Sequence, residues 1–229
     1  DLDGLRDVHH RTSRDLEGRT DRDITSVAVL TRREGDRVTF STTTGFVRWK
    51  TFDLTDLDYM PLPLVRRENS EKDFQFTQEV RLASAAAAPV RLNDAVTLAW
   101  QTGAFLFSEN YEQLAQNSYA PFVLSQFIDF PVVETSPDAD IDGVGVSLYG
   151  QGTFTVRERL DLVAGARFDH ESKDARLNTG FSPMIATPLS IDTDKSFTNV
   201  SPQFAALYRL RPTHTVYGSI SRGFKAGGF

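Results

Sequence analysis

The sequence predicts an all-β fold, an antiparallel transmembrane β-barrel to which this chain contributes about eight long strands. Three observations predict it: apolar and polar residues alternate, the alternating runs are long, and short and long connections lie at opposite ends of them. A soluble β-sandwich would also alternate. The length of the runs and the one-sided placement of the long connections favour the barrel.

The alternation is clearest between residues 144 and 173. Even positions of 144–156 are apolar or glycine, and odd positions carry mainly hydroxyl and amide side chains. Successive side chains of a strand point to opposite faces, so this run predicts a strand with one apolar and one polar face. The same pattern in other runs predicts four charged side chains facing the lumen, namely Glu79, Arg81, Arg167 and Asp169.

Eight strands are predicted, and most reach the roughly 9–11 residues that a tilted strand needs to cross a bilayer. The first has the weakest signal, because Val27 and Val29 compete with Ile24, Ala28 and Leu30 for one face. The predicted ranges are 24–33, 37–53, 72–84, 95–112, 141–156, 160–175, 196–210 and 214–224.

The connections between these strands alternate in length. Residues 34–36, 157–159 and 211–213 predict tight turns, and 85–94 predicts a modest one. Residues 54–71, 113–140 and 176–195 predict long loops, all at the other end of the strands. Short turns at one end and long loops at the other are typical of outer-membrane barrels.

Composition narrows the function. The net charge is −6 and no basic stretch is interleaved with aromatic residues, so no nucleic-acid partner is expected. The absence of cysteine excludes disulfides and thiolate metal sites. The mean hydropathy of −0.32 and the absence of any long apolar run exclude a spanning helix but not membrane strands, which are apolar only at alternate positions. No cofactor is expected.

The ends of the chain predict a segment of a longer protein. It begins Asp1-Leu2-Asp3, without an initiator Met or a signal peptide, and stops at Gly227-Gly228-Phe229 after a strand-like run. Residues 1–229 are therefore expected to form one partial barrel domain.

Three phrases resemble TonB-dependent outer-membrane receptors of the siderophore-receptor type. They are FTQEVRLAS at 76–84, SLYGQGTFTVRERLDLVAGARFDHESK at 147–173, and the stretch at 197–229 that ends in RGFKAGGF. The phrases occur in order and at plausible spacing, and the resemblance covers most of residues 20–229.

The resemblance implies a location in the bacterial outer membrane and a 22-stranded barrel, of which this chain would supply about a third. It further implies a receptor, not an enzyme, that imports a ferric siderophore or a similar large, scarce ligand. The partners it implies are the lipid bilayer, that ligand, and TonB acting through an N-terminal plug and box. Neither plug nor box is expected in these residues.

Candidate ligand contacts are aromatic residues in and beside the predicted loop 113–140: Tyr111, Tyr119, Phe122 and Phe127. Loops on a rigid scaffold often carry recognition, although such rings can also pack loop against loop.

Residues 1–23 are crowded with charge, and His9-His10 has no partner ligand at recognisable spacing, so no metal site is expected. His170 and Ser172 share a face, but no third group completes a hydrolase triad.

Two other functions remain open from sequence. One is a self-contained small outer-membrane barrel with a structural or adhesion role. The other is a soluble β-sandwich that acts as a binding module. In a sandwich, Phe154, Leu162 and Phe168 would lie together in a dry core under a second sheet.

Overall fold

A computed structural model describes residues 14–229, so His9 and His10 lie outside the described residues. Residues 14–229 contain nine β-strands and no helix that could cross a membrane. The strands are β1 (Arg19–Glu34), β2 (Val38–Asp56), β3 (Val65–Ser84), β4 (Val90–Asn93), β5 (Val96–Tyr119), β6 (Val132–Val156), β7 (Leu160–Ser182), β8 (Leu189–Arg211) and β9 (His214–Ser221).

All nine strands belong to one antiparallel sheet. Its order is β1-β2-β3-β5-β6-β7-β8-β9, with the four-residue β4 paired to β5. Within residues 14–229 the sheet is open, with β1 and β9 at its edges. The segment therefore does not close on itself. Unpaired edges are costly in lipid, so further strands are needed to complete a barrel.

The eight predicted strands are all present, and several are longer than predicted. β5, β6, β7 and β8 contain 24, 25, 23 and 23 residues. The extra length lies at the end of the long connections. These connections shrink from the predicted 54–71, 113–140 and 176–195 to 57–64, 120–131 and 183–188.

The register between β1 and β2 shows which residues of the first strand face outward, which its sequence left ambiguous. Val27 pairs with Phe46 and Val29 with Thr44, whereas Ile24 pairs with Trp49. Directly paired side chains lie on the same side of a sheet. Val27 and Val29 therefore share the outer face with Phe46, and Ile24 shares the inner face with Trp49.

The apolar face of the sheet is the exposed one. Leu148 is 63% exposed while its neighbour Ser147 is 6% exposed. Phe154, Leu162 and Phe168 are also exposed, and no second sheet is present among the described residues to cover them. The β-sandwich expectation is therefore wrong. We call the even-numbered residues of 144–156, 160–168 and 200–210 the outer belt.

Above the outer belt, towards the long connections, both faces are polar. Asp142 pairs with Asn110 and with Asp174, and Asp174 pairs with Asp194, all on the outer side. Lys72 and Glu112 form an outer ion pair at 2.9 Å, and Arg176 and Asp192 form another at 3.0 Å. We call residues 108–119, 132–142, 170–182 and 189–198 the upper extension.

Candidate functional site: the inner wall of the sheet

The four predicted lumen-facing residues lie in two adjacent rows on the inner face. Register places one residue from each of β3, β5, β6, β7 and β8 in each row. The first row contains Glu79, Phe105, Ser147, Asp169 and Asn199, and the second contains Arg81, Gly103, Tyr149, Arg167 and Ser201. Strand pairing thus brings together residues that are far apart in sequence.

The Tyr149 side chain, on β6, reaches across β5 to Glu79 on β3. Its Oη donates a 2.6 Å hydrogen bond to a Glu79 carboxylate oxygen, and its ring lies over Gly103. A Cβ added at Gly103 would sit 2.5 Å from Tyr149 Oη and 2.7 Å from the Val80 carbonyl oxygen. Glycine at this position is therefore what allows Tyr149 to lie flat against the wall.

Arg167 is held by three neighbours. Its Nε donates to Asp169 Oδ1 at 2.7 Å and its Nη2 donates to Ser147 Oγ at 2.8 Å. Ser147 Oγ donates in turn to the same Asp169 oxygen at 2.7 Å. The guanidinium carbon also lies 5.6 Å from the centre of the Phe105 ring, within cation–π range. These contacts fix the charge of Arg167 in place on the inner wall.

Arg81 has more freedom. Its side chain is exposed, and within residues 14–229 it forms no ion pair with a carboxylate. It lines an inner-face cavity of about 460 Å³ together with Glu79, Tyr149, Arg167 and Arg222. This cavity is open and polar, so it suits a charged or hydrogen-bonding partner better than an apolar one.

Two predicted ligand contacts lie on the inner face of the upper extension, within β5. Tyr111 packs against Trp49, with ring centroids 6.1 Å apart. Burial, followed by the charge of Glu71, raises the pKa of Tyr111 to about 12. The expectation that Tyr119 lies in a loop is wrong, because the β5–β6 pairing continues to Tyr119 opposite Val132.

Tyr119 is anchored at the top of the wall. Its Oη donates a 2.8 Å hydrogen bond to Glu134, which also accepts a bond from Asn117 at 3.0 Å. Burial, together with this hydrogen bond, raises the pKa of Tyr119 to about 12. The hydroxyl therefore remains a neutral donor at any physiological pH.

The other two predicted contacts, Phe122 and Phe127, lie in the loop 120–131 and are 61% and 84% exposed. Among the described residues, neither stacks on another aromatic ring. Large apolar rings left this exposed at a loop tip are available to a partner. The structure does not bring them into the inner rows.

His170 and Ser172 lie on the outer face at the base of the upper extension. His170 Nδ1 is 2.8 Å from Thr198 Oγ1, its cross-strand partner on β8. This contact accounts for His170 as a cross-strand pair on the outer face.

Sequence reasoning missed Ser147, Phe105 and the glycines of the inner wall that lie under aromatic rings. Gly145 plays the same part as Gly103, since a Cβ added there would lie 2.2 Å from the Phe107 ring. The sequence signal for such a contact is a glycine on the polar face of one strand that lies opposite an aromatic residue on the neighbouring strand. That signal requires the register between strands, which the alternation within one strand does not provide.

Comparison with known proteins identifies this architecture. The family model described as TonB dependent receptor-like, beta-barrel matches residues 3–229. No curated protein matches the chain in sequence.

Two solved structures share the fold at low sequence identity. The ferric-catecholate import receptor Fiu from E. coli K12 aligns with a TM-score of 0.68 and 16% identity over 93% of this chain and 37% of its own. The ferric yersiniabactin uptake receptor FyuA from Yersinia pestis aligns with a TM-score of 0.63 and 15% identity over 87% of this chain and 28% of its own. The chain thus spans about a third of the length of these receptors.

The predicted resemblance is therefore confirmed by a family match over nearly the whole chain and by an open sheet with an exposed apolar face and a polar inner wall. The family is one of transport receptors of the bacterial outer membrane. The chain belongs to the TonB-dependent receptors and forms part of their β-barrel.

Proposed function

We propose that this chain is the wall of an outer-membrane receptor that binds a ferric siderophore, or a ligand of similar size, and imports it with energy delivered by TonB. The observation that carries the proposal is the pair of inner rows, which present fixed and free charges to the lumen of a receptor-type sheet. The two similar structures support it, because both are named for the uptake of ferric complexes.

The inner rows suit a surface that changes partner during transport. Arg167 is already held by Asp169 and Ser147, so it presents a fixed and paired charge to whatever passes along the inner wall. Arg81 is uncommitted and can pair with an acidic group of a plug or a passing ligand. We assign these residues to the transport path.

The upper wall and the loop 120–131 suit first contact with the ligand. Tyr111, Tyr119, Phe122 and Phe127 lie at the end that faces the medium in barrels of this layout. Aromatic rings supply large contact areas at low entropic cost, which favours their use as binding anchors. We assign these four residues to ligand capture.

A self-contained structural barrel is the weaker alternative. The sheet of residues 14–229 ends in two unpaired edge strands, and a barrel of these residues alone would have to close them.

The test uses the full-length receptor in a strain that lacks its own copy. Cells grown without iron are supplied with ⁵⁵Fe-loaded catecholate, hydroxamate and phenolate siderophores, and surface binding and uptake are measured with and without TonB. The proposal expects uptake of at least one class that requires both receptor and TonB, and surface binding that requires only the receptor. Uptake of every class at the rate of the deletion strain would overturn it.

A further inference from the structure

We propose that the long-connection end of the sheet binds a divalent cation of the Ca²⁺ class through Asp15, Asp56 and Asp58. The cation would join the segment before β1 to the end of β2 and to the loop 57–64. This inference does not depend on the transported ligand.

The three carboxylates converge from different parts of the chain. One oxygen from each lies within 4.8 Å of the others. Two oxygens on one Ca²⁺ at 2.3–2.6 Å can be at most about 5 Å apart, so the cluster has the dimensions of one coordination sphere. Carboxylate oxygens are the ligands that hard cations prefer.

Asp56 provides the second and independent observation. It is 3% exposed, and its Oδ2 is buried without a hydrogen-bond partner in the described residues. Its other oxygen accepts the Tyr59 N–H at 3.1 Å. A buried carboxylate oxygen without a partner is costly to leave unsatisfied, and a bound cation beside Asp15 and Asp58 would satisfy it.

Among residues 14–229, no protein cation neutralises the cluster. Arg66 is the register partner of Asp56 and lines the same cavity of about 270 Å³, which Asp15 and Tyr119 also line. Its ion pair is with Glu68, at 3.6 Å. In the described part of the chain, none of the three aspartates forms an ion pair.

The backbone around the cluster is already arranged to hold it. Asp58 accepts the N–H groups of Met60 and Val65 at 2.9 and 2.6 Å, which fixes the orientation of its carboxylate. The Asp15 N–H donates to the Met60 carbonyl oxygen at 3.1 Å. Each carboxylate oxygen has two lone pairs, so these bonds leave sites for a cation. In the orientation proposed above, this end of the barrel meets the medium outside the cell, which is the source of Ca²⁺.

The test measures Ca²⁺ binding by the purified full-length receptor after it is stripped with chelator and dialysed. Calorimetric titration with CaCl₂ and the thermal unfolding midpoint with and without Ca²⁺ are compared among variants. Asp56→Asn keeps the Oδ1 acceptor for Tyr59, and Asp15→Asn changes an exposed carboxylate, so both are expected to fold. Each should weaken Ca²⁺ binding at least tenfold and reduce the Ca²⁺-dependent rise of the midpoint.

Asp174→Asn is the matched control. It removes a carboxylate from the acidic outer face near Asp140 and Asp142, away from the proposed site, and should leave the Ca²⁺ response unchanged. The proposal is overturned if the wild-type midpoint is the same with and without Ca²⁺. It is equally overturned if Asp56→Asn and Asp15→Asn respond like the wild type, or if Asp174→Asn loses as much of the response as they do.

Discussion

The outer belt and the upper extension are parts of the same strands with different surroundings. On β7, Leu162 and Phe168 face outward in the belt, and Asp174 and Arg176 face outward in the extension. The inner face carries charged side chains along both parts, such as Asp169 in the belt and Lys173 in the extension. The ladder of strand pairs also continues through both, from Leu160 opposite Tyr208 to Thr179 opposite Leu189.

The difference shows what the membrane adds to a strand. In the extension, backbone pairing and polar side-chain contacts such as Arg176–Asp192 and Tyr119–Glu134 maintain the sheet, and its outer face meets water instead of lipid. In the belt, the face that meets hydrocarbon must be apolar while the other face is polar. Because successive side chains point to opposite faces, the sequence there alternates between apolar and polar residues. The outer face therefore marks the upper membrane boundary near Phe168 and His170 on β7.

The largest expected effect tests that boundary. Leu148→Arg places a charge in the outer belt and should lower the free energy of unfolding by about 2–4 kcal/mol. Ser172→Arg, on the outer face of the extension, should cost less than about 1 kcal/mol. Urea titration of the full-length receptor folded in lipid vesicles measures both. Equal costs would mean that the boundary is misplaced.

The next effect contrasts the packed inner wall with the open extension. Gly145→Ala forces a Cβ to 2.2 Å from the Phe107 ring, and overpacking should lower stability by about 1–3 kcal/mol. Gly180→Ala meets no atom within 4 Å and should change stability by about 0.5 kcal/mol or less. The same urea titration compares them. A tolerated Gly145→Ala would show that Phe107 does not lie over this glycine.

A third effect asks whether the loop above the extension captures ligand. Phe127→Ala removes a ring that is 84% exposed and should weaken siderophore binding to intact cells about tenfold, or about 1.4 kcal/mol. Val123→Ala, in the same loop, should leave affinity within about twofold. Equilibrium binding of the ⁵⁵Fe complex to energy-depleted cells is the measurement. Unchanged affinity for Phe127→Ala would remove this ring from the capture site.

The smallest effect is spectroscopic. The pKa of Tyr119 is raised to about 12, against about 10 for a free tyrosine. We therefore expect the difference in phenolate absorbance between the wild type and Tyr119→Phe to appear only near pH 12. A raised pKa means that the neutral hydroxyl stabilises the fold below about pH 10. This contribution is lost as the pH rises through about 12. A difference titration centred near pH 10 would show that Tyr119 is not buried against Glu134.

The belt could be predicted from the sequence and most of the extension could not, for one physical reason. Residues 113–119 and 132–140 carry polar residues on both faces, so no period of two remains to indicate a strand. Their strand structure comes from pairing with neighbours whose register is already set in the belt. The same residues therefore look like loop when taken alone.

The candidate site divides in a similar way. Periodicity predicts that Glu79, Arg81, Arg167 and Asp169 share one face, and their facing the lumen stays a prediction. Periodicity could not place them in adjacent rows, because that depends on the register of four strand pairs. It also could not bring Asp15 beside Asp56, since the two converge only when the segment before β1 meets the loop after β2.

By itself, the sequence determined the class of fold, the number of long strands and, for all but the first, which face meets lipid, because these follow from the local period of apolar residues. Only the tertiary structure decided the strand lengths, the open edges, the two inner rows and the aspartate cluster. Each of these depends on which residues lie opposite one another across strands, and a single strand does not carry that information.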